Sequence, residues 1–160
     1  MAKLGLFYLA VAALLLAASD GNAHERKCTA REASEADAMV DQLHSWKTVD
    51  AVFRRYSQCD SGSIAEGNSE AVARLLVDKW NTLPALVHLA KSRPGLRRFV
   101  VVHVDSTLNT SDLERIIKLS ATSCPKGAAG LCDELHTAAT AALGEQAPVK
   151  AAGSTAPARP

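Results

Sequence analysis

Aromatic residues are scarce in this chain, at 4% of its 160 residues. Beyond residue 23 they are Trp46, Phe53, Tyr56, Trp80 and Phe99. So few rings exclude an extended stacking platform for carbohydrate, and they leave Ala, Val, Leu and Ile to build the core. Excess charge of one sign is missing too. Lys and Arg number 18 against 17 Asp and Glu, a net charge of +1, so neither nucleic acid nor an anionic membrane surface is an expected partner. No Cys-x-x-Cys pair offers a zinc framework, and no phosphate loop or dinucleotide fingerprint occurs. The Ser61-Gly62-Ser63 run lacks the frame of a nucleophile elbow and falls in a turn between helices. No catalytic residue, metal or cofactor is therefore expected.

An apolar run is present, but it is short. Lys3 precedes residues 4–18, which are almost continuously apolar and end at Ser19, Asp20, Gly21 and Asn22. Crossing a bilayer takes about 20 such residues. A positive start, a short apolar stretch and small residues after it form the signal-peptide pattern. Residues 1–23 are expected to be removed after Ala23, where Gly21 and Ala23 are both small, with Ser19 as a second cleavage point. No Cys follows the run, so no stable membrane anchor is expected, and the address is periplasmic or secreted. Removal takes away one cation, Lys3, and one anion, Asp20, which leaves the net charge unchanged.

In an exported chain the four cysteines, Cys28, Cys59, Cys124 and Cys132, are expected to form two disulfides. Three pairings are open. One is local, Cys28 with Cys59 and Cys124 with Cys132. Another is long-range, Cys59 with Cys124 and Cys28 with Cys132. Longer loops stabilise more, by ~4 kcal/mol in the chain-entropy model, which leans toward the long-range set without deciding it.

The spacing predicts an all-α domain, a compact bundle of about six short helices, over residues 24–143. Residues 144–160, rich in Ala, Pro, Gly and Ser, are expected to be a disordered tail. Residues 32–46 carry Ala36, Met39, Val40 and Leu43 at helical spacing. Thr48 is placed to cap a helix with Val49, Val52, Phe53 and Tyr56 on one stripe. Ser63 with Glu66 and Ser111 with Glu114 have the spacing of capping boxes, and Gly67 and Asn68 are points where the intervening helix could kink. Pro84 and Pro94 mark two helix starts. Residues 99–104 (Phe-Val-Val-Val-His-Val) have the β-branched density of a strand. Helix is preferred there, because an isolated strand has no partner in this sequence. A further helix ends before Cys124 and Pro125, and an Ala-rich one covers residues 131–143.

Among polar residues, His88 and His103 lie beside apolar positions and read as core or boundary histidines, with no second ligand three or four residues away. His44 and His136 read as surface residues, and His24 belongs to the polar lead. Paired carboxylates could be drawn from Asp60, Glu66 and Glu70, but Glu66 is assigned to a cap and Glu70 to a surface pair with Arg74. Lys91, Arg93, Arg97 and Arg98 gather charge around the Pro94 corner. Arg is enriched at binding hot spots, so Arg93, Arg97 and Arg98 are the expected docking residues, with Asp105 and the acids of residues 60–70 as internal alternatives.

Residues 59–67 (Cys-Asp-Ser-Gly-Ser-Ile-Ala-Glu-Gly), 69–72, 97–100, 103–107 and the Ser-Cys-Pro at 123–125 carry a resemblance. Over residues 48–125 the chain resembles a group of small exported helical proteins of Gram-negative bacteria without an assigned function. That resemblance implies a periplasmic address and a helical fold, and it brings no catalytic residue. In size and class, though in no shared motif, the chain is also similar to periplasmic immunity proteins. The expected function is a non-enzymatic periplasmic binding protein whose partner is another protein. An inhibitor or immunity protein for a cell-wall-active enzyme is its specific form. The alternatives are a small periplasmic hydrolase using Asp60, Glu66 or Glu70 with His103, and a homo-oligomeric structural accessory.

Overall fold

The computed structural model describes residues 26–147. The expected signal peptide, 1–23, and the expected tail from 148 onward lie outside the described residues. Between them run seven α-helices, α1 Ala30–Val40, α2 Trp46–Tyr56, α3 Ser63–Asp78, α4 Leu83–Ser92, α5 Pro94–Val102, α6 Thr110–Thr122 and α7 Ala129–Gln146. Single 3₁₀ turns, Ser57–Cys59 and Trp80–Thr82, lead into α3 and α4. No strand occurs among the described residues, and none of their helices is long and apolar enough to cross a membrane.

Caps decide where these helices start, and several starts differ from expectation. Thr29 and Glu32 form a capping box at α1. α1 then stops at Val40 instead of running to Trp46, because Ser45 caps α2 and accepts the Thr48 amide hydrogen bond. Thr48, expected as the cap, is the third helical residue and returns a bond to the Ser45 amide. At α3 the expected Ser63–Glu66 box does not form. Gly62 occupies the cap position at φ +56°, a conformation that favours glycine, and Ser63 is already helical. Asn109, two residues earlier than expected, caps α6 by accepting the Asp112 amide at 3.0 Å. Pro84 and Pro94 stand in the first turns of α4 and α5 as expected.

α3 passes through Gly67 and Asn68 without a break. A side-chain carbon at Gly67 would stand 2.5 Å from Val40 Cγ1, so the glycine lets α1 approach α3 closely. The contested stretch after Pro94 is helix through Val102. Leu96, Phe99 and Val100 are buried at i, i+3, i+4 while Val102 is 53% exposed, a helical rather than a strand period. α7 continues to Gln146, three residues into the expected tail. The Gln146 amide donates to the Ser106 and Leu108 carbonyls and accepts from the Thr110 hydroxyl, which ties the helix end to the start of α6.

The core is aliphatic. Leu83, Leu86, Leu96, Leu113, Ile116 and Leu135 are fully buried, each contributing about 1.5–3 kcal/mol relative to exposure. The larger rings keep their polar ends satisfied. Trp46 Nε1 donates to Thr82 Oγ1, Trp80 Nε1 to the Ser123 carbonyl, and Tyr56 to Glu35.

The disulfides are the local pair, Cys28–Cys59 and Cys124–Cys132. The lean toward long-range pairing does not hold, since loop entropy measures what a bridge contributes and not which sulfurs meet. Arg26 bridges Glu32 and the Arg55 carbonyl, which brings the lead, and with it Cys28, against the end of α2. Cys124 and Cys132 face each other across the α6–α7 hairpin, where the turn allows a Cα separation of 6.1 Å. The bridges span 31 and 8 residues, so chain entropy assigns them ~3.5 and ~2.5 kcal/mol. Removing Cys28 and Cys59 together should lower the urea midpoint more than removing Cys124 and Cys132. The reverse order would place the stabilisation in native packing instead of loop closure.

Candidate functional site

Polar residues on one buried face of α3 need partners, and Asn68 and Ser69 are such residues, 2% and 1% exposed. The partners come from two chain reversals. One is the turn before α3, which carries Asp60. The other follows α5, where the helix ends at His103 and the chain turns through Asp105 and Thr107. His103, 3% exposed, stands between them, with its ring edge-to-face on Phe99 at 4.3 Å between centroids.

The hydrogen bonds have a direction. Ser69 Oγ donates to Asp105 Oδ2 at 2.8 Å, which leaves Oγ to accept from His103 Nδ1 at 3.0 Å. On the far side of the ring, His103 Nε2 lies 3.1 Å from Asp60 Oδ2. That approach is within ion-pair distance but angled away from a hydrogen bond, and Nε2 has no hydrogen-bond partner. Asn68 Nδ2 donates to Asp60 Oδ1 at 3.0 Å. Asp105 Oδ1 accepts both the amide and the hydroxyl of Thr107.

Partial burial pushes the Asp60 carboxyl upward, but the His103 and Asn68 contacts outweigh it and hold it below the usual carboxylate range. Asp105 behaves alike. Desolvation raises it, and the Thr107 hydroxyl and amide, the Ser69 hydroxyl and the His103 ring bring it below its ordinary value.

A serine, a histidine and an aspartate in series have the composition of a hydrolytic triad, but two features oppose that chemistry. Nucleophilic attack requires a histidine nitrogen that accepts the serine proton, and here that proton points to Asp105 while Nδ1 donates. The Ser69 hydroxyl is also sealed, at 1% exposure of its residue. Of the acids considered with His103, Asp60 reaches it. Glu70 instead pairs with Arg74 at 3.0 Å as expected, and Glu66 is exposed in the first turn of α3. Among the described residues no group of His, Cys, Asp and Glu is arranged to hold a metal ion.

The arginine corner is largely occupied from within. Arg93 Nε lies 3.3 Å from Asp50 Oδ1, a 5% exposed carboxylate that also pairs with Arg54, and Arg97 donates to Glu134 at 2.7 Å. These acids are neither Asp105 nor the acids of residues 60–70. Arg98 and Lys91 are exposed, and neither pairs with an acid among the described residues.

A groove opens on another face, between the α1–α2 turn, α3 and α4, with a volume of ≈ 490 Å³. Ala85 and Leu89 line it at the surface, and Trp46 and Leu75, 3% and 2% exposed, lie beneath them. Around them stand Lys47, Lys79, His44 and His88, and no carboxylate lines it. Lys79 Nζ donates to the His44 carbonyl at 2.9 Å, which fixes the turn that forms one wall. His44 and His88 are exposed, as their surface assignment and boundary assignment allow. Sequence reasoning missed this groove, because it placed Trp46 at the end of one helix when it begins the next. Reading Ser45 and Thr48 as a reciprocal cap would have moved it.

Carboxylates held below their usual range stabilise the fold above about pH 4, and that contribution is lost as pH falls through their lowered folded-state values. Asp60→Asn should therefore reduce stability at neutral pH and flatten the acid-side loss, measured as urea midpoints from pH 7 down to pH 2.5. His103→Ala should cost about 1–3 kcal/mol at neutral pH by leaving Ser69 and Asp60 short of a partner. An unchanged midpoint in both variants would remove the cluster from any structural role.

No family model, curated protein or solved structure matches this chain.

Proposed function

We propose that this chain is an exported, non-enzymatic binding protein that acts on another protein, in the specific form of an inhibitor or immunity protein for a cell-wall-active enzyme. The observation that carries the reading is the apolar groove beside Trp46, open to solvent and free of carboxylates. The two disulfides are compatible with an exported protein, as is the lack of a span-length apolar helix among the described residues. The signal peptide at residues 1–23 supplies the route.

Co-purification from periplasmic extract tests it. The expected result is one enzyme recovered in stoichiometric amount, whose hydrolysis of peptidoglycan falls when this protein is added back. Recovery of no stoichiometric partner overturns the heteromeric reading. A self-associated species on sizing chromatography with no partner replaces it with the homo-oligomeric accessory.

The Ser69–His103–Asp60 contact favours a second reading, a small hydrolase. A fluorophosphonate probe reports on an activated serine directly. The sealed hydroxyl predicts no labelling of the native protein, and adduct formation at Ser69 that disappears in His103→Ala would establish the hydrolase instead.

A further inference from the structure

The groove beside Trp46 has a chemical character that specifies its occupant more closely than the proposed binding role, on which this inference rests. Ala85 and the partly exposed Leu89 give it hydrocarbon surface over the buried Trp46 and Leu75, and the charges at its edge are all of one kind. Lys47 and Lys79 carry ammonium groups with no acid partner among the described residues. The acids nearest to them in sequence, Asp50 and Asp78, are engaged by Arg54 and Arg74 at 3.2 and 3.6 Å. Elsewhere arginines are drawn into ion pairs, Arg26 with Glu32, Arg55 with Glu35, Arg93 with Asp50 and Arg97 with Glu134, whereas Arg98 and Lys91 are, like Lys47 and Lys79, without an acid partner among the described residues. A chain of net charge +1 thus places unneutralised cations around an apolar hollow.

We infer that the groove receives an apolar side chain of a partner protein that is flanked by carboxylates. Burial of that side chain supplies the affinity, and the lysines select the flanks and orient the approach. Charge weighs against other occupants. Residues 148–160 of this chain carry Lys150 and Arg159 and no acid, so they would bring cations to a cationic rim. A second copy seated groove to groove would oppose Lys47 and Lys79 to their own equivalents, and like charges in contact suppress such pairing.

The two tryptophans make the test direct. Trp46 lines the groove, whereas Trp80 is bonded to the Ser123 carbonyl and does not line it. The probes are a short peptide with a Leu-Phe centre flanked by glutamates and its lysine-flanked counterpart, titrated into the exported, purified protein labelled with nitrogen-15. The glutamate peptide should shift the Trp46 indole resonance and the amides of Lys79 and Leu89, leaving Trp80 in place, and the lysine peptide should shift none of them. Lys47→Glu, and Lys47→Glu with Lys79→Glu, should reverse that preference, with the unmoved Trp80 resonance reporting an intact fold.

Equal response to both peptides, or none at Trp46 with either, overturns the inference. So does a change at Trp46 on deletion of residues 148–160, which would assign the groove to the chain's own tail, or a concentration-dependent change without peptide, which would assign it to a second copy. A partner that co-purifies but is not displaced by the glutamate peptide removes the groove from binding and leaves the proposed function standing. Peptide binding at Trp46 without any co-purified enzyme leaves the groove standing and removes the inhibitor.

Discussion

An imidazole buried at 3% exposure inside an aliphatic core needs polar neighbours, and that demand links four parts of this fold. His103 stands at the end of α5, Ser69 in the middle of α3, Asp60 in the turn before α3, and Asp105 in the turn after α5. Leu, Val and Ile fill space with little regard for which neighbour they meet, so an aliphatic core alone tolerates a helix sliding along its neighbour. A slide of α3 past His103 by one residue would part Ser69 from the ring, at a cost of about 1–3 kcal/mol for each buried polar group left without a partner. The cluster therefore sets the register in which α3 presents its other faces, including the Leu75 that helps to line the groove.

Chemistry spent on register is withdrawn from catalysis. The serine that faces the histidine gives its proton to Asp105, the ring's Nδ1 donates to that serine, and both residues are sealed at 1% and 3% exposure. The same inward use governs the arginine corner, where Arg93 and Arg97 join α5 and its preceding turn to α2 and α7 through Asp50 and Glu134. A cation already paired in a partly buried site offers a partner less than a free one, because the existing contact has to be broken first. The groove differs in its lining, where Lys47 and Lys79 stand beside Ala85 and Leu89 with no carboxylate among them.

Much of the fold was legible because it rests on local rules. Pro84 and Pro94 start helices, and Val102 breaks the strand period to leave residues 94–102 helical. The even cysteine count foretold two bridges, yet their pairing depended on where the Arg26 clip and the α6–α7 turn put the sulfurs, which no spacing encodes. His103 was recognised as a buried or boundary residue, but its partners Ser69 and Asp60 lie more than thirty residues away. Two of the three misplaced caps share one cause. Several Ser, Thr or Asn residues lie within one turn of the start, and any of them could accept the amide. Choosing Asn109 over Ser111 required the preceding turn to be in place. Gly62 over Ser63 required a positive φ that only the folded turn reveals.

The misplaced start of α2 reaches furthest into function. With Ser45 as the cap, Trp46 becomes the first helical residue, and its ring lies back over the turn toward the start of α4, where Nε1 meets Thr82. With Thr48 as the cap, the same ring would belong to a connecting loop with no fixed direction. The cap thus pins one of the five aromatic residues beyond residue 23 beneath the groove, and the Lys79 bond to the His44 carbonyl holds the opposite lip of the same turn. A binding surface gains from such preorganisation because less conformational freedom remains to be lost when a partner arrives. In a chain this poor in aromatics, where one tryptophan is pinned matters more to recognition than how many there are.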